Sequence, residues 1–270
     1  MIYVFIFIIG TVFGSFANVC IKRIPRSVSI VKPGSACRSC KKPIKWHDNI
    51  PVISYLVLKG KCRSCGAEIS PAYPLVEFIT GLLFLAVFYK FGGYGAAPAV
   101  IFLVFAVLNV IISGIDIEHR IIPDVLSLIL VISGVLFSPW NTVLNYGLPN
   151  CFEGTILSKI AMSVSGLIIA GLIYVIIAFL GEKLFRQEAL GGGDIKLIAG
   201  IGAYMGTVNV LWVIFFASIF GAIAGLMLIL SGKKKRKDII PYGPYISAAA
   251  IFVILFQPRL NEIYYRYMMG

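Results

Sequence analysis

The chain is 270 residues long, 59% of them hydrophobic and only 13% charged, with a mean hydropathy of +0.92. A soluble domain is about 45–50% apolar and roughly 25% charged, so this composition excludes an ordinary soluble enzyme, a disordered tail and a disulfide-rich secreted module. The formal charge of +12 has two possible sources, nucleic-acid binding or membrane sidedness, and the positions of the charges decide between them.

A bilayer helix needs roughly 20 predominantly apolar residues, and the first such run covers 2–19. It resembles the apolar part of a secretory signal, but it has no basic start and no clear small-residue cleavage site, and it runs straight into Lys22, Arg23 and Arg26. A retained first helix is therefore expected, with Cys20 at its end in a packing role. The long hydrophilic segment 20–71 follows. It carries Cys37-x-x-Cys40 and Cys62-x-x-Cys65 with 21 residues between the pairs. Two such turns can bring four thiolates onto one tetrahedral ion, and a site filled by four protein ligands folds a loop and leaves no position for activating water. Flanking Lys and Arg favour the thiolate form. Redox chemistry, two disulfides and unmetallated cysteines are the competing readings, and His47 between the pairs is a possible substitute ligand. No internal repeat is evident.

Further runs are expected as spans at 74–89, 97–115, 122–138, 160–181, 197–215, 212–230 and 241–257. The sixth and seventh spans run together and must part between Met205 and Asn209, where Gly206, Thr207 and Asn209 cluster. Eight spans result. Of the 24 Lys and Arg residues, 20 fall in 20–71, 116–122, 182–196 and 232–240, leaving Lys90, Lys159, Arg259 and Arg266 on the other side. The positive-inside bias then predicts an N-out, C-out protein with the first set in the cytoplasm. The run Lys233–Lys237 reads as part of that bias near membrane lipid, with no nucleic-acid partner expected. Cys151 is expected to be incidental.

With twelve carboxylates, each can be weighed. Asp48, Glu68, Glu153, Glu182, Glu188, Asp238 and Glu262 fall in loops or tails, where solvation is the default. Glu77 lies just inside the second span, where an ionisable side chain is costly and signals function or pairing. Asp124, after Pro123, reads as a helix N-cap. Asp116 ends the third span and Asp194 begins the sixth, so both fall at the same membrane depth. Two carboxylates meeting in a low-dielectric site share a proton, which is the equipment of an aspartic protease. The competing reading is a pair of ordinary interfacial carboxylates at helix ends. Gly191, Gly192 and Gly193 are expected to let the backbone bend and approach a substrate. Lys196 is expected to pair with either carboxylate or with lipid phosphate, and the helix start favours Asp194 as the base.

The stretches GSFANVCIKRIPR (14–26), CRSCKKPIKWHDNIPVISYLVLKGKCRSCGAEISPAYPLVEFITG (37–81), DIEHRIIPD (116–124), GGGDIKL (191–197) and IPYGPYISA (240–248) make the chain similar to the bacterial prepilin peptidases along nearly its whole length. The Gly-x-Gly-Asp element alone is shared with preflagellin peptidases and presenilin-type proteases; the cysteine block is far more specific. The resemblance implies that Asp116 and Asp194 are the catalytic pair and that Cys37, Cys40, Cys62 and Cys65 hold structural Zn²⁺. Asp124 matches the acidic position of the family's Ile/Leu-Pro-Asp element and is not carried over as catalytic. It further implies cleavage of the basic leader of type IV pilin-like precursors after a glycine, at the cytoplasmic face of the bacterial inner membrane. The intact cysteine loop favours a bifunctional enzyme that then N-methylates the new terminus from S-adenosylmethionine. Glu77 or Glu118 is a candidate acid for the basic leader. Arg38 departs from the proline often found after the first cysteine. The expected architecture is all-α and polytopic: a first transmembrane helix at 1–19, a zinc-binding, methylation-associated cytoplasmic loop at 20–71 and a membrane peptidase domain at 72–270.

Overall fold

A computed structural model of the chain describes residues 1–145, 155–185, 190–232 and 240–269. Cys151, Glu153, Glu188, Asp238 and the run Lys233–Lys237 lie outside the described residues. The helices are α1 (Ile2–Arg23), α2 (Ile53–Val57), α3 (Ala72–Phe91), α4 (Ala96–His119), α5 (Asp124–Leu136), α6 (Ile156–Phe185), α7 (Gly192–Leu230) and α8 (Gly243–Met269). Among the described residues there is no strand, only two isolated bridges in the cysteine loop. That is what a bilayer demands, because a helix satisfies its backbone groups internally.

Among the described residues, six helices (α1, α3, α4, α6, α7 and α8) are long and apolar enough to cross a membrane. The expected count of eight meets this in two places. The fourth expected span is only the 13-residue α5, about 20 Å long. The sixth and seventh are one 39-residue element, α7, broken at Gly206 with φ 71° and ψ 179°.

Helix α7 doubles back at that break. Gly193 packs on Ile122, Ile122 also touches Gly243, and the neighbouring Tyr242 packs on Gly221. A straight helix would separate Gly193 from Gly221 by about 42 Å, so the chain reverses between them. The only residue there outside helical geometry is Gly206, and its left-handed φ is one that only glycine adopts at little cost. The parting thus falls inside the window the sequence indicates. A break inside an apolar bundle strands the carbonyls of the preceding turn. Buried side chains meet three of them: Ser163 Oγ donates to Ala203 O at 2.7 Å, Asn141 Nδ2 to Tyr204 O at 2.8 Å, and Asn209 Nδ2 to Met205 O at 3.0 Å.

Close helix contacts rest on small residues, the usual route to tight packing where lipid offers no hydrophobic contrast. Gly10 and Gly14 of α1 abut α3, where a Cβ on Gly14 would stand 2.6 Å from Glu77 Cα. Gly166 of α6 meets both Gly202 and Gly206, and a Cβ on it would lie 2.3 Å from Gly202 O. The core runs through Phe91, Phe102, Phe105 and Tyr204, with the Phe91 and Phe102 rings stacked at 4.1 Å.

Candidate functional site

Asp116 sits in the last turn of α4, which Arg120 closes in left-handed conformation with its N–H on Asp116 O at 2.9 Å. The Asp116 side chain is buried, and its Oδ2 accepts the Gly243 N–H at 2.9 Å. Gly243 is the first residue of α8, so a free helix-start N–H, with the positive end of the helix dipole behind it, faces the carboxylate. A Cβ on Gly243 would lie 2.8 Å from Asp116 Oδ2; glycine is what lets the carboxylate come this close. Asp194 lies in the first turn of α7, half-buried, its N–H on Gly191 O at 3.0 Å. Its carboxylate is within electrostatic reach of Asp116. Ile122 contacts both Gly193 and Gly243, so one side chain holds the two carboxylate-bearing corners together. Buried Tyr174 reaches toward Asp194 and Tyr242 without completing a hydrogen bond through its hydroxyl.

Several supporting residues take other roles than expected. None of Gly191, Gly192 and Gly193 has positive φ; the chain bends at Leu190, Gly191 is extended and α7 begins at Gly192. Gly193 is needed for packing, since a Cβ there would meet Ile122 Cβ at 2.9 Å. Lys196 Nζ binds Asp124 Oδ1 at 2.7 Å and pairs with neither site aspartate. Asp124 makes no cap hydrogen bond; Pro123 holds the cap position. Glu118 pairs with Lys22. Glu77 Oε2 accepts the Val52 N–H at 2.8 Å, tying the cysteine loop to α3. The helix-start argument for Asp194 as base applies equally to Asp116, which faces the start of α8, so it does not separate the two.

The four cysteines converge: the sulfurs of Cys37, Cys40, Cys62 and Cys65 all lie within 4.8 Å of one another, with Cys37 Sγ and Cys65 Sγ 3.8 Å apart. Sulfurs 2.3 Å from one tetrahedral ion are about 3.8 Å from each other, so the cluster fits a four-thiolate metal centre. All four are free thiols. His47 is not part of the cluster. Hydrogen bonds from the Cys40 and Ser39 backbone hold the Cys37 thiol down at about 6, favouring the ligating thiolate.

Folding the loop exposes a repeat that the sequence reading missed. Cys-Arg-Ser-Cys occurs at 37–40 and again at 62–65, and the backbone repeats with it. Cys37 N bonds Lys42 O and Lys41 N bonds Cys37 O; Cys62 N bonds Ala67 O and Gly66 N bonds Cys62 O. Lys41 and Gly66 occupy the same left-handed position. The two arginines diverge. Arg38 lies over the Tyr73 ring at 5.7 Å, whereas Arg63 clamps Asp48 through Nε and a terminal nitrogen at 2.7–3.0 Å and holds its carboxyl below the ordinary range. The short repeat was visible as identical tetrapeptides; Gly243, by contrast, had no signal beyond its place in the resembling stretch 240–248.

Two family models match the chain: the Bacterial Peptidase A24 N-terminal domain over residues 8–91 and the Type IV leader peptidase family over residues 102–226. The first covers the cysteine cluster and the second both aspartates. Relatives named prepilin leader peptidase/N-methyltransferase include the following three. The one from Bacillus subtilis is 31% identical over 98% of this chain and 98% of its own length. The one from Klebsiella pneumoniae is 36% identical over 75% of this chain and 84% of its own. A Myxococcus xanthus relative is 37% identical over 84% of this chain, which spans 63% of that longer protein. No solved structure shows significant similarity. With an aspartate pair at one end of a helical membrane bundle, a converged cysteine tetrad and full-length relatives of this kind, the chain belongs to the type IV leader peptidase family.

Proposed function

We propose that the protein is a multi-pass inner-membrane aspartic endopeptidase that removes the leader of type IV pilin-like precursors, and then serves as the N-methyltransferase for the new terminus. The observation that carries this is the meeting of Asp116 and Asp194 from helices 78 residues apart in sequence, one buried against the α8 start and the other within its electrostatic reach. Two such carboxylates hold one proton between them. One takes a proton from water as the water oxygen attacks the scissile carbonyl carbon; the other protonates the carbonyl oxygen. The tetrahedral intermediate collapses when the C–N bond breaks and the leaving amine takes up a proton. Because the proton belongs to the pair, the base is not assigned to one member.

The charge distribution supports an N-out, C-out topology of eight crossings, with α5 and both limbs of α7 among them and the aspartates at the cytoplasmic face. A precursor with a basic leader in the cytoplasm and an apolar helix in the bilayer presents its scissile bond at that depth, and the anchored helix supplies positioning. Four thiolates with this spacing suit structural Zn²⁺, which would hold the two Cys-x-x-Cys turns together. S-adenosylmethionine, when bound, supplies the methyl group.

The test is a coexpressed precursor whose N-terminus is read by mass spectrometry. Wild-type protein should yield the leaderless product with one added methyl group. Asp116→Asn and Asp194→Asn should each abolish processing while still accumulating in the membrane. Unimpaired cleavage in both variants ends the aspartic-protease reading.

A further inference from the structure

A cavity of about 660 Å³ lies between the cysteine loop and the adjoining faces of α1 and α3, well within the range of small-molecule sites. Its walls carry many charges, and some of these already have partners. Lys22 is held by Glu118 and Arg63 by Asp48. Arg23 donates to the Ser29 and Gly34 carbonyls. Arg26, Arg38, Lys42 and Lys45 line the cavity with no carboxylate partner among the described residues, against one unpaired carboxylate on the outer wall, the exposed Glu68, so that wall is net cationic.

The opposite sign sits deeper. Tyr73 and Glu77 are four residues apart on α3 and so share one face, and both line the cavity. Arg38 covers the Tyr73 ring, and the Lys22–Glu118 pair and Arg26 are within electrostatic reach of it, so cations outnumber carboxylates at the Tyr73 level. One helical turn further in, about 6 Å along the axis, stands the carboxylate of Glu77, which has no ion-pair partner among the described residues. Its Oε2 is engaged by the Val52 N–H, a neutral donor, so a cationic ligand would be its first counter-charge. The cavity is therefore polarised, with a cationic rim and an anionic floor. A purely anionic ligand such as a phospholipid head group matches the rim and is repelled by the floor. A ligand with a carboxylate and a fixed positive charge about one helical turn apart matches both.

The relatives' N-methyltransferase name implies such a ligand. In S-adenosylmethionine the carboxylate and the sulfonium are separated by three carbons, about 5 Å by ordinary bond lengths. We propose that this cavity is the S-adenosylmethionine site, with Arg38 and Arg26 holding the methionyl carboxylate and Glu77 facing the sulfonium. The assignment rests on the methyltransferase half of the proposed function. The position suits a terminus that has just been cut. Lys22 forms part of the cavity wall and binds Glu118, which follows Asp116 by two residues on α4. The cavity and Asp116 therefore both adjoin the same last turn of α4.

The experiment is calorimetric titration of purified, zinc-loaded full-length protein in phosphatidylcholine nanodiscs with S-adenosylmethionine and with S-adenosylhomocysteine, which lacks the sulfonium charge. Wild type should bind the first more tightly than the second. Glu77→Gln keeps an acceptor for Val52 and removes only the charge, so it should weaken S-adenosylmethionine about tenfold and shift S-adenosylhomocysteine by less than about twofold. Arg38→Gln should weaken both alike. Equal weakening of both ligands in Glu77→Gln overturns the assignment. Independently of any variant, ultraviolet crosslinking of methyl-labelled S-adenosylmethionine to wild type should label peptides within 15–77. Label confined to peptides from α5 to α8 overturns the proposal, as does saturable binding of phosphatidylglycerol without binding of S-adenosylmethionine. Repeating the titration with Asp194→Asn protein separates the two readings: binding there, with cleavage lost, supports the cavity whatever the outcome for methylation.

Discussion

Replacing Gly243 with alanine tests whether the α8 start sets the geometry of the aspartate pair. The added Cβ would stand 2.8 Å from Asp116 Oδ2, against an ordinary carbon–oxygen contact of about 3.4 Å, so the carboxylate must retreat by roughly half an ångström and lengthen its 2.9 Å bond to the Gly243 N–H. Misplacement of about 1 Å at a reacting centre can cost 10²-fold, and half that distance corresponds to about tenfold in kcat. Stability should change little, because the backbone at 243 does not have positive φ and the new contacts fall on two side chains that can shift, Asp116 Oδ2 and Ile122 Cδ1. The assay is the initial rate of precursor cleavage in proteoliposomes at saturating precursor, with Gly192→Ala as the control. A Cβ on Gly192 meets nothing within 4 Å, and that variant should stay within about twofold of wild type. A Gly243→Ala enzyme with wild-type kcat would refute the role of this contact.

Four further outcomes follow from the geometry. In metal-free protein, alkylation of Cys37 should rise with pH through about 6, because the reactive thiolate forms as pH passes that value. Cys65 should titrate near 11: the Ala67 N–H acts to lower it, but desolvation and the other three sulfurs outweigh that effect; mass spectrometry resolves the two, and coincident profiles would contradict the asymmetry. Purified protein should carry about one zinc per chain, and chelation should open residues 35–69 to protease while α4 and α7 stay protected. Gly166→Leu should abolish accumulation of folded protein in the membrane, since even its Cβ would lie 2.3 Å from a backbone oxygen and overpacking of this kind costs at least about 1–3 kcal/mol. Lys196→Met should change thermal stability by less than about 1 kcal/mol, because its pair with Asp124 is exposed on both sides.

Features carried by local chemistry were legible in the sequence. Apolar runs marked the helices, paired cysteines marked the cluster, and scarcity of carboxylates drew attention to Asp116 and Asp194. Features made by distant backbone were not. The donor to Asp116 is an N–H 127 residues away, and no side-chain pattern announces a backbone group. Glu77 stood out as an ionisable residue in a span, yet its partner is the Val52 N–H, which composition cannot indicate. Lys196 could be placed at the correct depth, but depth alone does not say which of three aspartates it reaches. Hydropathy located the parting of the sixth and seventh runs to within a few residues. It could not show that buried Asn141, Ser163 and Asn209 make the reversal possible by taking up the freed carbonyls.

The reversal at Gly206 also fixes a length. The first limb of α7, from Gly192 to Met205, has fourteen residues and is about 21 Å long, whereas the hydrocarbon layer is about 30 Å thick. If this limb crosses the bilayer, as the proposed topology has it, the shortfall of about 9 Å would be met by local thinning of the bilayer or by head groups and water descending toward its ends. On that topology the aqueous phase comes close to Asp194 from the side. Hydrolysis there would need no conduit bored through the helices, because one helix is too short to keep the oil in place.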